Sequence, residues 1–226
     1  MPPYFCNCLF CEVAMKAVVF DMDGVLFDTE SVCMKAWDYA GELMGVGKAG
    51  YMVLKTLGMK AEKAIEILRS EFGEDFDAVK FKQTGRDYSY DYFNTYGVPE
   101  KKGLFEILDY LKNKGYKIAL ASSTHSQSVY HHLKEKGIEK YFDAVVCGDM
   151  VEKSKPEPDI YLKACEMLNE NPVDCAAVED SKNGLLSAHR AGLQVIMVPD
   201  LWQGEEETDS FLLAKCSDLT EIMTVL

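Results

Sequence analysis

The sequence predicts an α/β protein: a doubly wound parallel sheet, interrupted after its first strand by an all-helical segment. Five short apolar runs lack the polar alternation of a half-exposed strand, which is how strands buried on both faces read. Amphipathic helical stretches separate the later runs, and several end at glycine, the residue that best adopts the left-handed turn closing a helix. The exception is the stretch from about Glu30 to Tyr96, where no strand candidate appears.

Taken in order, the apolar runs are Lys16–Phe20, Lys117–Ala121, Asp143–Cys147, Cys175–Val178 and Gln194–Val198. Helical patterns cover Gly103–Asn113, Ser126–Lys136, Pro158–Leu168 and Gly184–Arg190, with Gly115, Gly137 and Gly192 as stops. In the first of these, Leu104, Ile107, Leu108 and Leu111 share one face. Within the strandless segment, Glu30–Met44, Ala61–Phe72 and Phe76–Tyr96 carry apolar residues at helical spacing. Gly45, Gly47, Gly50, Gly58 and Gly73 punctuate them. The expected organisation is therefore a core of residues 15–29 and 97–226 with a helical insertion at 30–96. The insertion stands over the carboxyl ends of the strands, where open α/β sheets bind ligands.

At 226 residues the chain is long enough to bury a substantial core. Its net charge of −13 argues against a nucleic-acid or anionic-membrane surface, because like charges repel. A phosphorylated metabolite remains compatible, held locally by a metal, a lysine or backbone N–H groups. No apolar run approaches the roughly 18 residues of a membrane span. Of eight cysteines, Cys33, Cys147, Cys165, Cys175 and Cys216 lie in apolar contexts, as reduced buried thiols do. With no secretory-type leader pattern, a reducing cytoplasm is the expected setting. Residues 1–14, with Cys6, Cys8 and Cys11, read as an appendage before a start at Met15; a metal clip is the alternative. A monomer is the default.

The chemistry sits at the strand ends. The first strand runs into Asp21-Met22-Asp23-Gly24. Two acids one residue apart, followed by a turning glycine, can share a cation while one attacks and the other moves protons. An Asx-turn is the plain alternative. After the second strand come Ser122, Ser123 and Thr124, hydroxyls and N–H groups suited to phosphate, or else a helix cap. After the third comes Lys155, set among prolines as a rigid point charge, or else a solvated turn lysine. After the fourth come Glu179 and Asp180, costly to bury without a cation, or else a helix N-cap. Four such groups at the ends of strands in one sheet are poorly explained by chance.

With these residues in hand, the chain resembles the haloacid dehalogenase-like hydrolases, in the branch of sugar phosphatases and β-phosphoglucomutase-like proteins. The matching segments are Phe20-Asp21-Met22-Asp23-Gly24-Val25-Leu26-Phe27-Asp28-Thr29-Glu30, then Ser122, Lys155-Pro156-Glu157-Pro158 and Glu179-Asp180-Ser181. The resemblance spans about Met15 to the C-terminus and implies a Rossmann-like core with a helical cap. It further implies that Asp21 is a nucleophile forming an aspartyl-phosphate and that Asp23 is the acid and base. Mg²⁺ would be held by Asp21, the Asp23 carbonyl and Asp180, with Glu179 direct or through water. Ser122, Ser123 and Lys155 would hold the phosphoryl group. The presence of Asp23 disfavours the dehalogenase branch.

Water and a sugar hydroxyl compete as acceptor. The mutases carry a histidine four residues past the threonine at position 29, where this chain has Cys33. They also place an arginine just after the position of Lys60 in Gly58-Met59-Lys60. Both departures favour a phosphatase acting on a small phosphorylated metabolite, with a mutase and a non-catalytic binding protein as alternatives. Lys60, Lys82 and Arg86 are candidate cap contacts, each equally readable as a solvated helix charge. Trp37 and the aromatics Tyr88, Tyr90, Tyr92, Phe93 and Tyr96 read as packing. His125, His131 and His132 lie at metal-binding spacing with no evident carboxylate partner, and read as ordinary helix residues.

Overall fold

The computed structural model describes residues 15–56 and 61–226. Cys6, Cys8, Cys11, Gly58 and Lys60 lie outside them. One six-stranded sheet organises the rest: β1 (Ala17–Phe20), β2 (Lys117–Ser122), β3 (Ala144–Cys147), β4 (Cys175–Glu179), β5 (Gln194–Met197) and β6 (Leu212–Lys215). The spatial order is β3-β2-β1-β4-β5-β6, and every pairing is parallel. The chain builds outward from β1 on one side, then returns to β4 on the other. The switch point thus falls between β1 and β4, where a crevice opens at the carboxyl ends.

Strand alternation divides the apolar side chains between two layers. Val18, Phe20, Ile118 and Leu120 face α5 (Leu104–Lys114) and α6 (Ser126–Glu135), meeting Ile107, Leu111, Val129 and Leu133. Ala17, Val19, Ala119 and Ala121 face α7 (Asp159–Leu168) and α8 (Lys182–Ala191), meeting Ile160, Ala164, Leu185 and Ala188. Each fully buried Phe, Leu or Ile contributes about 1.5–3 kcal/mol against an exposed reference. All five predicted strands are present, each with one end shifted by one residue.

Between β1 and α5 lie α1 (Thr29–Leu43), α2 (Met52–Thr56), α3 (Ala61–Phe72) and α4 (Ala78–Tyr96). They bury a cluster of their own, including Ala36, Trp37, Met52, Leu68 and Phe81. Trp37 and Phe81 meet edge to face at 5.2 Å. The two passages into and out of this helical unit run side by side. Asp28 N–H donates to Pro99 O at 2.8 Å and Lys101 N–H to Leu26 O at 2.9 Å. Glu135 on α6 also accepts from Val98 N–H at 3.2 Å.

Among the described strands and α-helices, three are not predicted by the sequence patterns. The edge strand β6 alternates half-buried and exposed residues, so a search for uniformly apolar runs passes over it. The five-residue α2 is too short to show a helical period. The short α9 (Glu206–Asp209) follows β5.

Candidate active site

Asp21 leaves β1 at the switch point, its N–H bonded to Val178 O of β4 at 3.0 Å. The chain then turns sharply: Gly24 N–H donates to Phe27 O at 2.8 Å, and Leu26 N–H to Met22 O at 2.9 Å. Gly24 has φ +80°, and a Cβ there would overlap the Asp180 carboxylate. Only glycine lets this turn and Asp180 occupy one corner.

Three carboxylates meet in that corner. Oxygens of Asp21, Glu179 and Asp180 lie within 4.8 Å of one another, and all three residues are buried. Lys155 bridges two of them, donating to Asp21 Oδ1 at 2.5 Å, Glu179 Oε1 at 2.6 Å and Ala121 O at 2.9 Å. Its ammonium also lies 5.0 Å from the centre of the Tyr161 ring. The Tyr161 hydroxyl donates to Glu179 Oε1 at 2.7 Å. The other Glu179 oxygen accepts from Asp180 N–H, Ser181 N–H and Ser181 Oγ at 3.2–3.4 Å. Glu179 is thus saturated by protein donors.

The electrostatics follow from burial and crowding. Burial pushes the Asp21 carboxyl well above the usual carboxylate range; Lys155 opposes the rise, and Glu179 and Asp23 add to it. Burial likewise raises Asp180, reinforced by Glu179 and Asp21. Burial opposes the charge on Lys155, yet Asp21 and Glu179 together lift its pKa above the ordinary lysine value. With all three ionised, the carboxylates outnumber the one ammonium by two negative charges in a buried corner, and their raised pKa values reflect that crowding. An all-oxygen donor set with that excess fits a hard divalent cation such as Mg²⁺.

Asp23 points away from this corner and is held from both sides. Its Oδ1 accepts from Thr29 Oγ1 at 2.8 Å, and its Oδ2 from Thr124 Oγ1 at 2.7 Å. Ser122 Oγ lies 3.5 Å from the same Oδ2 and accepts from Thr124 N–H at 3.0 Å. Thr29 begins α1 and Thr124 follows β2, so the helical unit and the sheet grip one carboxylate together. Asp28 caps α1, accepting from Ser31 N–H at 3.3 Å and Ser31 Oγ at 2.8 Å.

These groups open onto a cavity of about 1130 Å³ between the sheet end and α1, α4 and α6. Asp21, Asp23, Ser123, Lys155 and Asp180 form its floor; Glu30, Cys33, Trp37 and Arg86 face them. Burial pushes Glu30 up to about 7, with Asp23 the next cause. Burial also pushes the Cys33 thiol up to about 12.

The structure places the cap candidates differently. Arg86 lines the cavity, but Lys82 does not, because the lining of α4 begins one turn later, at Gly85. Lys60 is outside the described residues. Trp37, Tyr90 and Phe93 line the cavity; Trp37 and Phe93 also pack against buried clusters, whereas Tyr90 is 68% exposed. The three histidines do not act alike: His125 heads α6 and lies 3.6 Å from Asp149, while His131 and His132 have a carboxylate neighbour in Glu135. Thr29 and Thr124 hold Asp23, a role their places in the sequence do not show. Tyr161 belongs to none of the strand-end motifs; a phenol within the apolar stripe of α7 is the available signal, since a buried hydroxyl needs a partner.

Comparison with known proteins agrees with this geometry. Residues 18–198 match the haloacid dehalogenase-like hydrolase family. A phosphorylated carbohydrates phosphatase of Thermotoga maritima is 35% identical over 80% of this chain and 84% of its own. The β-phosphoglucomutase of Bacillus subtilis is 32% identical over 91% of this chain and 92% of its own. Among solved structures, CbbY of Rhodobacter sphaeroides in complex with xylulose-1,5-bisphosphate superposes with a TM-score of 0.73 at 25% identity, covering 92% and 96% of the two chains. The chain belongs to the haloacid dehalogenase-like hydrolases, in the branch of phosphatases and β-phosphoglucomutase-like proteins.

Proposed function

We propose that the protein is a Mg²⁺-dependent phosphatase of small phosphorylated metabolites, sugar phosphates above all, working through an aspartyl-phosphate on Asp21. The observation that carries the reading is the Lys155 bridge between Asp21 and Glu179 beside Asp180, a carboxylate cluster two charges short of neutrality. Asp21, the Asp23 carbonyl and Asp180 would hold the ion, and the saturated Glu179 would reach it through water. When bound, the ion offsets the repulsion between Asp21 and an incoming phosphate and steadies charge on the phosphoryl oxygens.

The chain's own groups divide the remaining work. Lys155 fixes Asp21 Oδ1 and, with Ser122 and Ser123, cradles the phosphoryl group. An Asp21 oxygen attacks phosphorus, the bond from phosphorus to the ester oxygen breaks, and Asp23 gives that oxygen its proton. Asp23 then takes a proton from water, whose oxygen attacks phosphorus; the bond to Asp21 breaks and inorganic phosphate leaves. Thr29 and Thr124 keep Asp23 over the cavity in both steps. We read residues 30–96 as a cap that supplies selectivity, with Arg86 its best-placed contact, on a core of residues 15–29 and 97–226. The expected setting is a monomer in the cytoplasm; among the described residues, no helix is long and apolar enough to cross a membrane.

Of the relatives named above, one is a phosphorylated carbohydrates phosphatase and one a β-phosphoglucomutase, which supports the substrate class. The similarity to a β-phosphoglucomutase over 91% of the chain also favours a mutase as the second reading. Cys33 speaks against it: at the cavity wall stands a thiol that stays protonated, not an imidazole that can take up a proton. Incubation with a panel of sugar phosphates and Mg²⁺, following inorganic phosphate and isomerised sugar together, separates the two. From β-glucose 1-phosphate, glucose 6-phosphate without inorganic phosphate would overturn the phosphatase reading.

A further inference from the structure

A second group of metal-ligating side chains lies on α6, apart from the acidic corner. Donor atoms of His131, His132 and Glu135 all fall within 4.8 Å of one another. His132 is 6% exposed, and its Nδ1 is buried without a hydrogen-bond partner. An unpaired buried ring nitrogen is costly and asks for a ligand. The atom facing it is Glu135 Oε2, 4.0 Å away, too far for a hydrogen bond.

That separation suits an ion seated between the two. Zinc lies about 2.0–2.1 Å from a histidine nitrogen and about 2.0–2.2 Å from a carboxylate oxygen, so two of its tetrahedral ligands stand about 3.4 Å apart, and the pair need close by only about half an ångström. The other parts are preset. The ring of His132 is clamped edge-on by Phe27 at 6.0 Å and Phe93 at 5.1 Å. Glu135 Oε1 is fixed by Val98 N–H, which leaves Oε2 directed at the ring. His131 is exposed, and its donor nitrogen already lies within 4.8 Å of those of His132 and Glu135. Burial depresses the His132 pKa, which keeps the imidazole in its neutral, metal-binding form. Both histidines line the cavity, which gives an ion a path in.

We propose that His131, His132 and Glu135 form a binding site for a transition-metal ion of the zinc class, separate from the acidic corner. Two imidazoles and one carboxylate select such an ion over Mg²⁺, which prefers oxygen ligands. Because Glu135 also holds Val98, and Phe93 on α4 packs on His132, the ion would fasten α6 to the outgoing passage of the helical unit. The site owes nothing to the proposed hydrolysis.

The test is calorimetric titration of the whole protein with Zn²⁺ in saturating Mg²⁺, repeated with Co²⁺ while following its visible absorption. One Zn²⁺ site is expected, with Co²⁺ giving a nitrogen-and-oxygen ligand spectrum. His131→Ala, an exposed change that spares the fold, should weaken it by at least about tenfold, as should His132→Gln and Glu135→Gln. Asp180→Asn should leave it unchanged. No Zn²⁺ binding, binding unmoved by all three α6 changes, or binding lost only in Asp180→Asn would each overturn the proposal.

Discussion

Replacing Lys155 with methionine keeps the length of the side chain and removes its charge. In the structure this deletes donations to Asp21 Oδ1 at 2.5 Å, Glu179 Oε1 at 2.6 Å and Ala121 O at 2.9 Å, from a side chain only 7% exposed. Taking one partner from a buried ion pair costs about 3–5 kcal/mol, because the charge left behind is uncompensated. The loss should depend on pH in a definite direction. Asp21 already titrates well above the unfolded carboxylate value, and without Lys155 it titrates higher still. A group whose folded pKa is raised lends its full stability below the unfolded pKa and loses it as pH rises through the folded one. The variant should therefore approach wild-type stability near pH 4 and fall furthest below it at neutral pH. Mg²⁺ should restore more stability to the variant than to wild type, since the cation is then the main neutralising charge. Urea unfolding in chelator and in Mg²⁺, across that pH range, reads all of this. Turnover should drop by about 10²–10³-fold, the usual loss for one electrostatic contact to the reacting group. A variant within about 0.5 kcal/mol of wild type in chelator at pH 7 would refute the reasoning, since surface changes have effects of that size.

Three further outcomes follow. Gly24→Ala should lower Mg²⁺ affinity and activity together while leaving a folded protein, since its Cβ meets the Asp180 carboxylate at φ +80°; isothermal titration with Mg²⁺ checks it. Thr124→Val and Thr29→Val each remove a hydrogen bond to a carboxylate, worth about 1.5–3 kcal/mol, so kcat should fall about 10–100-fold in each. The double variant should lose less than the two combined, because both act through Asp23. Glu30 stands at about 7 against 4.5 unfolded, so its contribution is whole below pH 4.5 and lost as pH rises through 7, roughly 3 kcal/mol in all. Glu30→Gln should flatten that part of the stability curve in chelator-treated protein.

Much of the fold was legible because buried parallel strands announce themselves. Val18, Val19 and Phe20, or Ala176, Ala177 and Val178, are apolar on both faces and admit few other readings. The edge strand Leu212–Lys215 is not, because one side of it meets water and its residues alternate. The acids, the serines and the lysine were legible as types at strand ends, while the contacts among them were not. That Lys155 spans Asp21 and Glu179, over 134 and 24 residues of chain, depends on how the loop after β3 folds back over the sheet. The grip of Thr29 and Thr124 on Asp23 joins two elements far apart in sequence, and no local pattern marks it. Glu135 carries no mark in the sequence beside His131 and His132, because a surface-type glutamate at the end of a helix has many ordinary uses. Its aim is set by Val98, which reaches it only in the folded chain.

The central claim is that phosphate passes through Asp21. Labelled sugar phosphate mixed with the protein and Mg²⁺, then quenched in acid within milliseconds, tests it directly. The expected result is label on the peptide containing Asp21, released by hydroxylamine as an acyl phosphate is, and absent from Asp21→Asn, which should also lose at least about 10³-fold in turnover. Steady release of phosphate with no label at Asp21, or an Asn variant that keeps its activity, would contradict it.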